Sequence, residues 1–280
     1  MKKLLGVISA AACVASLAAT PSQATTPIAK RPISVGALSP SAASLAAAAL
    51  SSSTASLTAA APRGRFSMKD RWARESTRYG DSDSSVYRIE HVTELQYRLT
   101  WAGVYKSGAT GYFGPKTREG VRIYQRREKL RVTGVATHKT WAHLLRDTVR
   151  QRGRIPRVCK TNGWHACYDR STHQVTLWRG GRIRNTWLVR GGAYGGYETR
   201  VGNSVVYYRD KDHISGLYDS PMPYSQFFDG GQAYHGSSYM LNPFVGHSHG
   251  CINMYNEDAR QLWRLTSKKR LEVRVYGAWD

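Results

Sequence analysis

Acidic residues are scarce in this chain. Its 280 residues hold 19 Asp and Glu against 41 Lys and Arg, a formal charge of +22 with a pI near 10.1. That imbalance favours anionic partners: nucleic acid, an anionic membrane or an acidic polymer. Long apolar runs are also nearly absent. The exception, Leu4 to Ala19, is short and rich in small residues, whereas a membrane-spanning helix wants ~20 strongly apolar ones. It follows Met1-Lys2-Lys3 and precedes Ser22-Gln23-Ala24, small residues at the two positions a signal peptidase reads. Residues 1–24 therefore read as a cleaved export signal, with an uncleaved membrane anchor as the alternative. Lipidation at Cys13 is disfavoured, because Ala10-Ala11-Ala12 lacks the large aliphatic residue wanted before such a cysteine. Without the signal's two lysines, 39 basic side chains face 19 acids, a charge of +20. An exported chain meets no genome, so nucleic acid drops out as a partner.

Aromatics are missing and charge is nearly so from residues 25 to about 62, which are dominated by Ala, Ser, Thr and Pro. Such a stretch cannot bury enough apolar surface to order itself. With the basic, polar residues that follow, 25–84 reads as linker. Helical periodicity then begins. Val92, Leu95 and Leu99 recur at i, i+3, i+7; Pro115 suits a first helical turn; Val121, Tyr124 and Leu130 continue an apolar stripe. Thr137 can cap a third helix carrying Trp141, Leu144 and Leu145, and Gly108, Gly111, Gly114 and Gly134 mark turns. Residues 85–148 thus predict a small three-helix bundle.

After a basic link the pattern turns to strands. Asn162-Gly163 and Gly180-Gly181 suit two-residue hairpin turns, and Val175, Leu177, Ile183 and Trp187 alternate with polar neighbours. Residues 155–280 read as a mainly β, sandwich-like domain. Asn256 can cap a late helix with Glu257 and Asp258 in its first turn, and Leu271 to Tyr276 reads as a closing strand.

Cysteine is rare as well, four in all. Cys13 leaves with the signal. Cys159 and Cys167 flank the Asn-Gly turn, where a hairpin would bring them together, and in an exported protein they predict a disulfide. That leaves Cys251 unpaired in an oxidising compartment, where a free thiol is usually avoided. Its surroundings are suggestive: His247, Ser248, His249 and Gly250 precede it, and His235-Gly236 lies upstream. A thiol attacks only as thiolate, and a histidine can take its proton if the other ring nitrogen is held by an acceptor. Gly250 would let the backbone turn and offer N–H groups as an oxyanion hole. These residue types suit covalent acyl transfer without metal or cofactor.

Ser248-His249-Gly250-Cys251-Ile252-Asn253, with His235-Gly236 upstream, resembles the signature of the L,D-transpeptidases, the YkuD-type catalytic domain. The likeness extends through most of 155–280, except that Thr199-Arg200-Val201-Gly202 lacks the Pro many members carry. The stretch from Val92 to Leu145 resembles the three-helix peptidoglycan-binding module, through Leu95-Gln96, Ala102-Gly103, Gly111 to Pro115, and Val132-Thr133-Gly134. The resemblance implies a cell-wall enzyme whose substrates are peptidoglycan stem peptides and glycan, with anionic wall polymers as compatible partners. It makes Cys251 the nucleophile and His235 the base, held by the Gly236 carbonyl. Gly250 and Cys251 N–H groups serve the oxyanion, Ser248 and Asn253 fix the loop, and His249 shapes the pocket or packs. The thioester formed on the third stem residue would release D-Ala and yield 3-3 cross-links. Water as acceptor would make the same site an L,D-carboxypeptidase, and carbapenems would acylate the thiol. Of Tyr218, Tyr224, Phe227, Phe228 and Tyr234, Tyr224 is taken as a substrate-groove residue.

Three other classes are weighed. A zinc hydrolase could draw on His235, His247, His249 and Cys251, the last three on one face of a strand, but its nearest carboxylates, Glu257 and Asp258, sit at a helix start. A papain-like endopeptidase places its Cys before its His, the reverse of the order here. A non-catalytic wall-binding protein would not depend on Cys251 at all.

Overall fold

A computed structural model describes residues 71–279. The expected signal at 1–24 and most of the expected linker lie outside the described residues.

Three helices come first: α1 (Val92–Trp101), α2 (Pro115–Arg127) and α3 (His138–Asp147). Pro115 occupies the first position of α2, and Thr137 caps α3 by accepting the Thr140 N–H. The apolar stripe is inward, with Val92, Leu95, Leu99, Val121, Tyr124, Trp141, Leu144 and Leu145 fully buried. Leu130 falls beyond the end of α2. Two buried glutamines pin the loops. Gln96 accepts the Thr110 and Gly111 N–H groups and donates to the Thr110 and Thr117 hydroxyls. Gln125 does the same for Thr133, Gly134 and Thr140.

The helices do not close into a bundle of their own. Elements this short leave one side of their shared core uncovered, and that core runs on into Cys159, Cys167, Trp178 and Ile183 of the next domain. The linker also ends earlier than the sequence suggested. Trp72, Ala73, Arg74 and Thr77 are buried, and Trp72 and Thr77 bond through their backbones to Arg184 and Ala136.

The mainly β part has two mixed sheets. Strands β1 (Trp164–Asp169), β2 (Gln174–Arg179), β3 (Arg182–Leu188), β4 (Gly202–Val205) and β9 (Leu271–Tyr276) form one, in the order β3-β2-β1-β9-β4 with β1 parallel to β9. Strands β5 (Tyr208–Ile214), β6 (Pro221–Asp229), β7 (Gln232–Gly236) and β8 (Ile252–Met254) form the other in sequence order, with β7 parallel to β8. Helix α4 (Asn256–Thr266) packs on β6 and β7. Alternation divides the first sheet: Cys167 faces the helices while Ala166 and Tyr168 face the second sheet. There Tyr168, Val175, Leu177 and Trp187 pack against Phe228, Tyr234, Ile252, Met254 and Leu262.

Gly180-Gly181 does turn β2 into β3. Asn162-Gly163 does not form a hairpin. It lies in a bend between a short 3-10 turn holding Cys159 and the start of β1, and the Cys159–Cys167 disulfide spans that bend. Asn256 is the first residue of α4 rather than its cap; that place is taken by Tyr255. Among the described residues no helix is long and apolar enough to cross a membrane.

Candidate active site

Two short parallel strands bring the site together. The register pairs Tyr234 with Ile252 and His235 with Asn253. Tyr234, Ile252 and Met254 point into the core between the sheets. Period two then sends Ala233, His235, Cys251 and Asn253 to the other face of the sheet. On that face Cys251 packs against Met222, Phe227 and Ala233. It is half-buried and is the free cysteine among the described residues.

His235 is buried, and its Nδ1 lies 2.7 Å from the Gly236 carbonyl oxygen. A carbonyl only accepts, so Nδ1 carries the proton and Nε2 keeps its lone pair. Burial pulls this imidazole down to about 4, outweighing the Gly236 bond that favours the charged form. The Cys251 thiol donates to the Gly231 carbonyl at 3.8 Å, and burial pushes it up despite an opposing bond from the Ala233 N–H. At neutral pH the site therefore rests as thiol and neutral imidazole.

The loop before Cys251 is tied at several points. The Ser248 hydroxyl donates to the Cys251 carbonyl at 2.6 Å and accepts the Gly250 N–H at 3.1 Å. That occupies one of the two N–H groups the sequence offered to an oxyanion. Gly250 has φ +116°, and a Cβ there would run into the Gln232 side chain. Gly236 is equally constrained, since a Cβ would meet the side-chain oxygen of Asn256. Asn253 holds its place through the backbone, exchanging both hydrogen bonds with Arg190. Sequence reasoning missed Arg190. Its buried guanidinium donates to the carbonyls of Tyr239 (3.0 Å) and Val245 (3.4 Å), pinning the segment between His235 and Cys251. An arginine just past a strand carried no signal of this.

His249 is exposed and clasped by two tyrosines, stacked on Tyr218 at 4.3 Å and edge-on to Tyr197 at 5.1 Å. Tyr197 and Tyr218, not Tyr224, are thus the tyrosines next to the Cys251 loop. Tyr224 is not brought to Cys251. It adopts φ +62° and turns to α4, where it packs on Trp263 and the core between the sheets. The zinc set does not converge either. His247 lies on Trp279 while His249 lies between the tyrosines. Among the described residues the acid and imidazole group close enough to share an ion is His91, Glu94 and Asp258. The Arg74 guanidinium already stands among them, 2.9 Å from Glu94 and 3.8 Å from Asp258. The neighbourhood of Cys251 is thus a thiol and a proton acceptor on one sheet face beside a glycine-shaped turn, which suits acyl transfer.

Two families of known proteins match parts of the chain. Residues 163–275 match the family described as "L,D-transpeptidase catalytic domain" (YkuD), and residues 88–144 match "Putative peptidoglycan binding domain". No curated protein matches. Among solved structures, an L,D-transpeptidase from Stackebrandtia nassauensis is 22% identical, covering 74% of this chain and 97% of its own, with a TM-score of 0.46. One from Xylanimonas cellulosilytica is 26% identical over 73% of this chain and 98% of its own, TM-score 0.43. One from Mycobacterium tuberculosis is 19% identical over 41% and 57%, TM-score 0.37. The chain carries an L,D-transpeptidase catalytic domain of the YkuD type behind a peptidoglycan-binding domain.

Proposed function

We propose that this is an exported cell-wall transpeptidase in which Cys251 is the nucleophile and His235 its base. The observation that carries the reading is the placement of a free thiol and a neutral, Nδ1-anchored imidazole on one face of the β7–β8 pair. As the sulfur attacks the carbonyl carbon of the third stem residue, its proton passes to Nε2 of His235. The Cys251 N–H steadies the developing oxyanion. The tetrahedral intermediate collapses to a thioester as His235 returns the proton to the departing amine of D-Ala. An amine of a neighbouring stem then attacks the thioester and gives up a proton through His235. A 3-3 cross-link forms and the thiol is regenerated.

Because both partners rest uncharged, the proton moves only with attack, and an amine acceptor gives the cross-link. Water in its place gives the L,D-carboxypeptidase product. Incubation with a disaccharide-tetrapeptide, followed by mass spectrometry, tests the reading. Wild-type protein should yield cross-linked dimers lacking D-Ala, and Cys251→Ala should yield none. A carbapenem should add its mass to the wild type alone. An adduct or product persisting in Cys251→Ala would refute the thiol mechanism.

A further inference from the structure

On the far side of the second sheet from Cys251, the groove between β5, β6 and α4 holds a cavity of ≈ 390 Å³. Its walls carry five cations, Lys211 from β5 and Arg260, Arg264, Lys268 and Lys269 from α4 and its end, around the rings of Tyr224 and Trp263. A helix C-terminus attracts one or two cations through its dipole. That accounts for neither Arg260, in the first half of α4, nor Lys211, on another element. Lys211 lies 3.6 Å from Asp212. Among the described residues no carboxylate stands within ion-pair distance of Arg260, Arg264, Lys268 or Lys269. Converging like charges around a hollow repel one another, and an anion seated there would relieve that repulsion.

We propose that this cavity binds a phosphodiester-linked polyol or sugar polymer of the wall. A stem peptide offers too few carboxylates to meet this set. A phosphodiester chain instead presents a negative charge at every repeat, and arginine and lysine are the side chains that receive phosphate. Tyr224 and Trp263 give the C–H faces of a polyol or sugar ring something to lie on. The inference rests on the wall location in the proposed function but not on the thiol chemistry.

Binding of fluorescent poly(glycerol phosphate) to the full chain tests it, with the double variant Arg260→Glu, Arg264→Glu against the charge-matched Arg179→Glu, Arg182→Glu on the β2–β3 turn. All four arginines are exposed. The first pair should weaken binding by about tenfold or more, and the second by far less. Processing of a soluble disaccharide-tetrapeptide should be unchanged in both, which separates this site from the catalytic one. Equal weakening by both pairs would reduce the effect to net charge and overturn the proposal. So would absence of polymer binding in an active enzyme, tighter binding to phosphatidylglycerol vesicles, or tighter binding to single-stranded DNA. Inorganic phosphate competing at equal phosphate concentration as well as the polymer would show that no chain is recognised, and that too would overturn it.

Discussion

Burial lowers the His235 imidazole from its ordinary 6.5 to about 4. Between those values the unfolded chain binds a proton that the folded chain refuses, so stability falls as pH drops through the window. The full difference corresponds to about 3 kcal/mol. His91 works in the opposite sense. Burial alone would lower it, but Asp258 and Glu75 hold it well above 6.5. Its contribution is complete below 6.5 and fades as pH rises above that. Denaturant titrations at pH 4 to 8 should show His235→Gln losing less stability than the wild type on acidification from 6.5 to 4. Parallel curves would mean that His235 is not held neutral. His235 and Cys251 were legible as candidates because His and Gly neighbours are what make a thiol react. Arg190 and Tyr218 were not, since pinning a loop or stacking on an exposed ring depends on chain segments that meet only after folding.

Among the elements, α1, β3 and α4 meet at one arginine. Arg74 is nearly inaccessible and bonds Glu94 of α1 (2.9 Å), the Thr186 carbonyl of β3 (2.8 Å) and Gln261 of α4 (3.5 Å). Glu94 is shared with Arg98, 2.7 Å away on the next turn. Burial would raise the Glu94 carboxyl, but the two guanidiniums bring it down to about 2. Breaking one partner of such a buried pair strands the other, at a cost of about 3–5 kcal/mol. Arg74→Ala should therefore lower the urea midpoint strongly, whereas Arg78→Ala, which keeps the backbone N–H that Arg78 donates to Asp81, should lower it far less. A midpoint unmoved by Arg74→Ala would show that Arg98 alone satisfies Glu94 and that the junction does not depend on Arg74. The sequence hid this junction. A lone arginine in a basic, polar stretch looks like linker, and only the opposing carboxylates, supplied by α1 and α4, reveal why it is buried. The helices themselves were legible, because a 3.6-residue stripe with Pro115 and Thr137 at the starts is a local property.

Across the whole molecule, the peptidoglycan-binding region and the catalytic domain share one continuous core. Trp178, Ile183 and the Cys159–Cys167 pair pack against α1 to α3. Tyr97 of α1 packs its ring at a tilt on Phe244, centroids 4.5 Å apart, in the loop that leads to Cys251. Cutting the chain at residue 155 would strip these side chains of cover and loosen that loop. The truncated protein should bind a hydrophobic dye, unfold at a Tm lower by several degrees or more and alkylate faster at Cys251. A truncated domain as stable as the full chain would show that the shared core contributes nothing.

Taken alone, the sequence determined what is local or chemical: the helical and strand periods, the hairpin at Gly180-Gly181, and which cysteine and histidine, with their glycines, are candidates for a site. Tertiary structure decided what depends on distant segments meeting. Parallel pairing of β7 with β8 put His235 and Cys251 on one face, and the turn of Tyr224 toward α4 placed it on the opposite side from them. Residues near 74 became core instead of linker, because burial of a charge is settled by which opposite charges the fold brings to it.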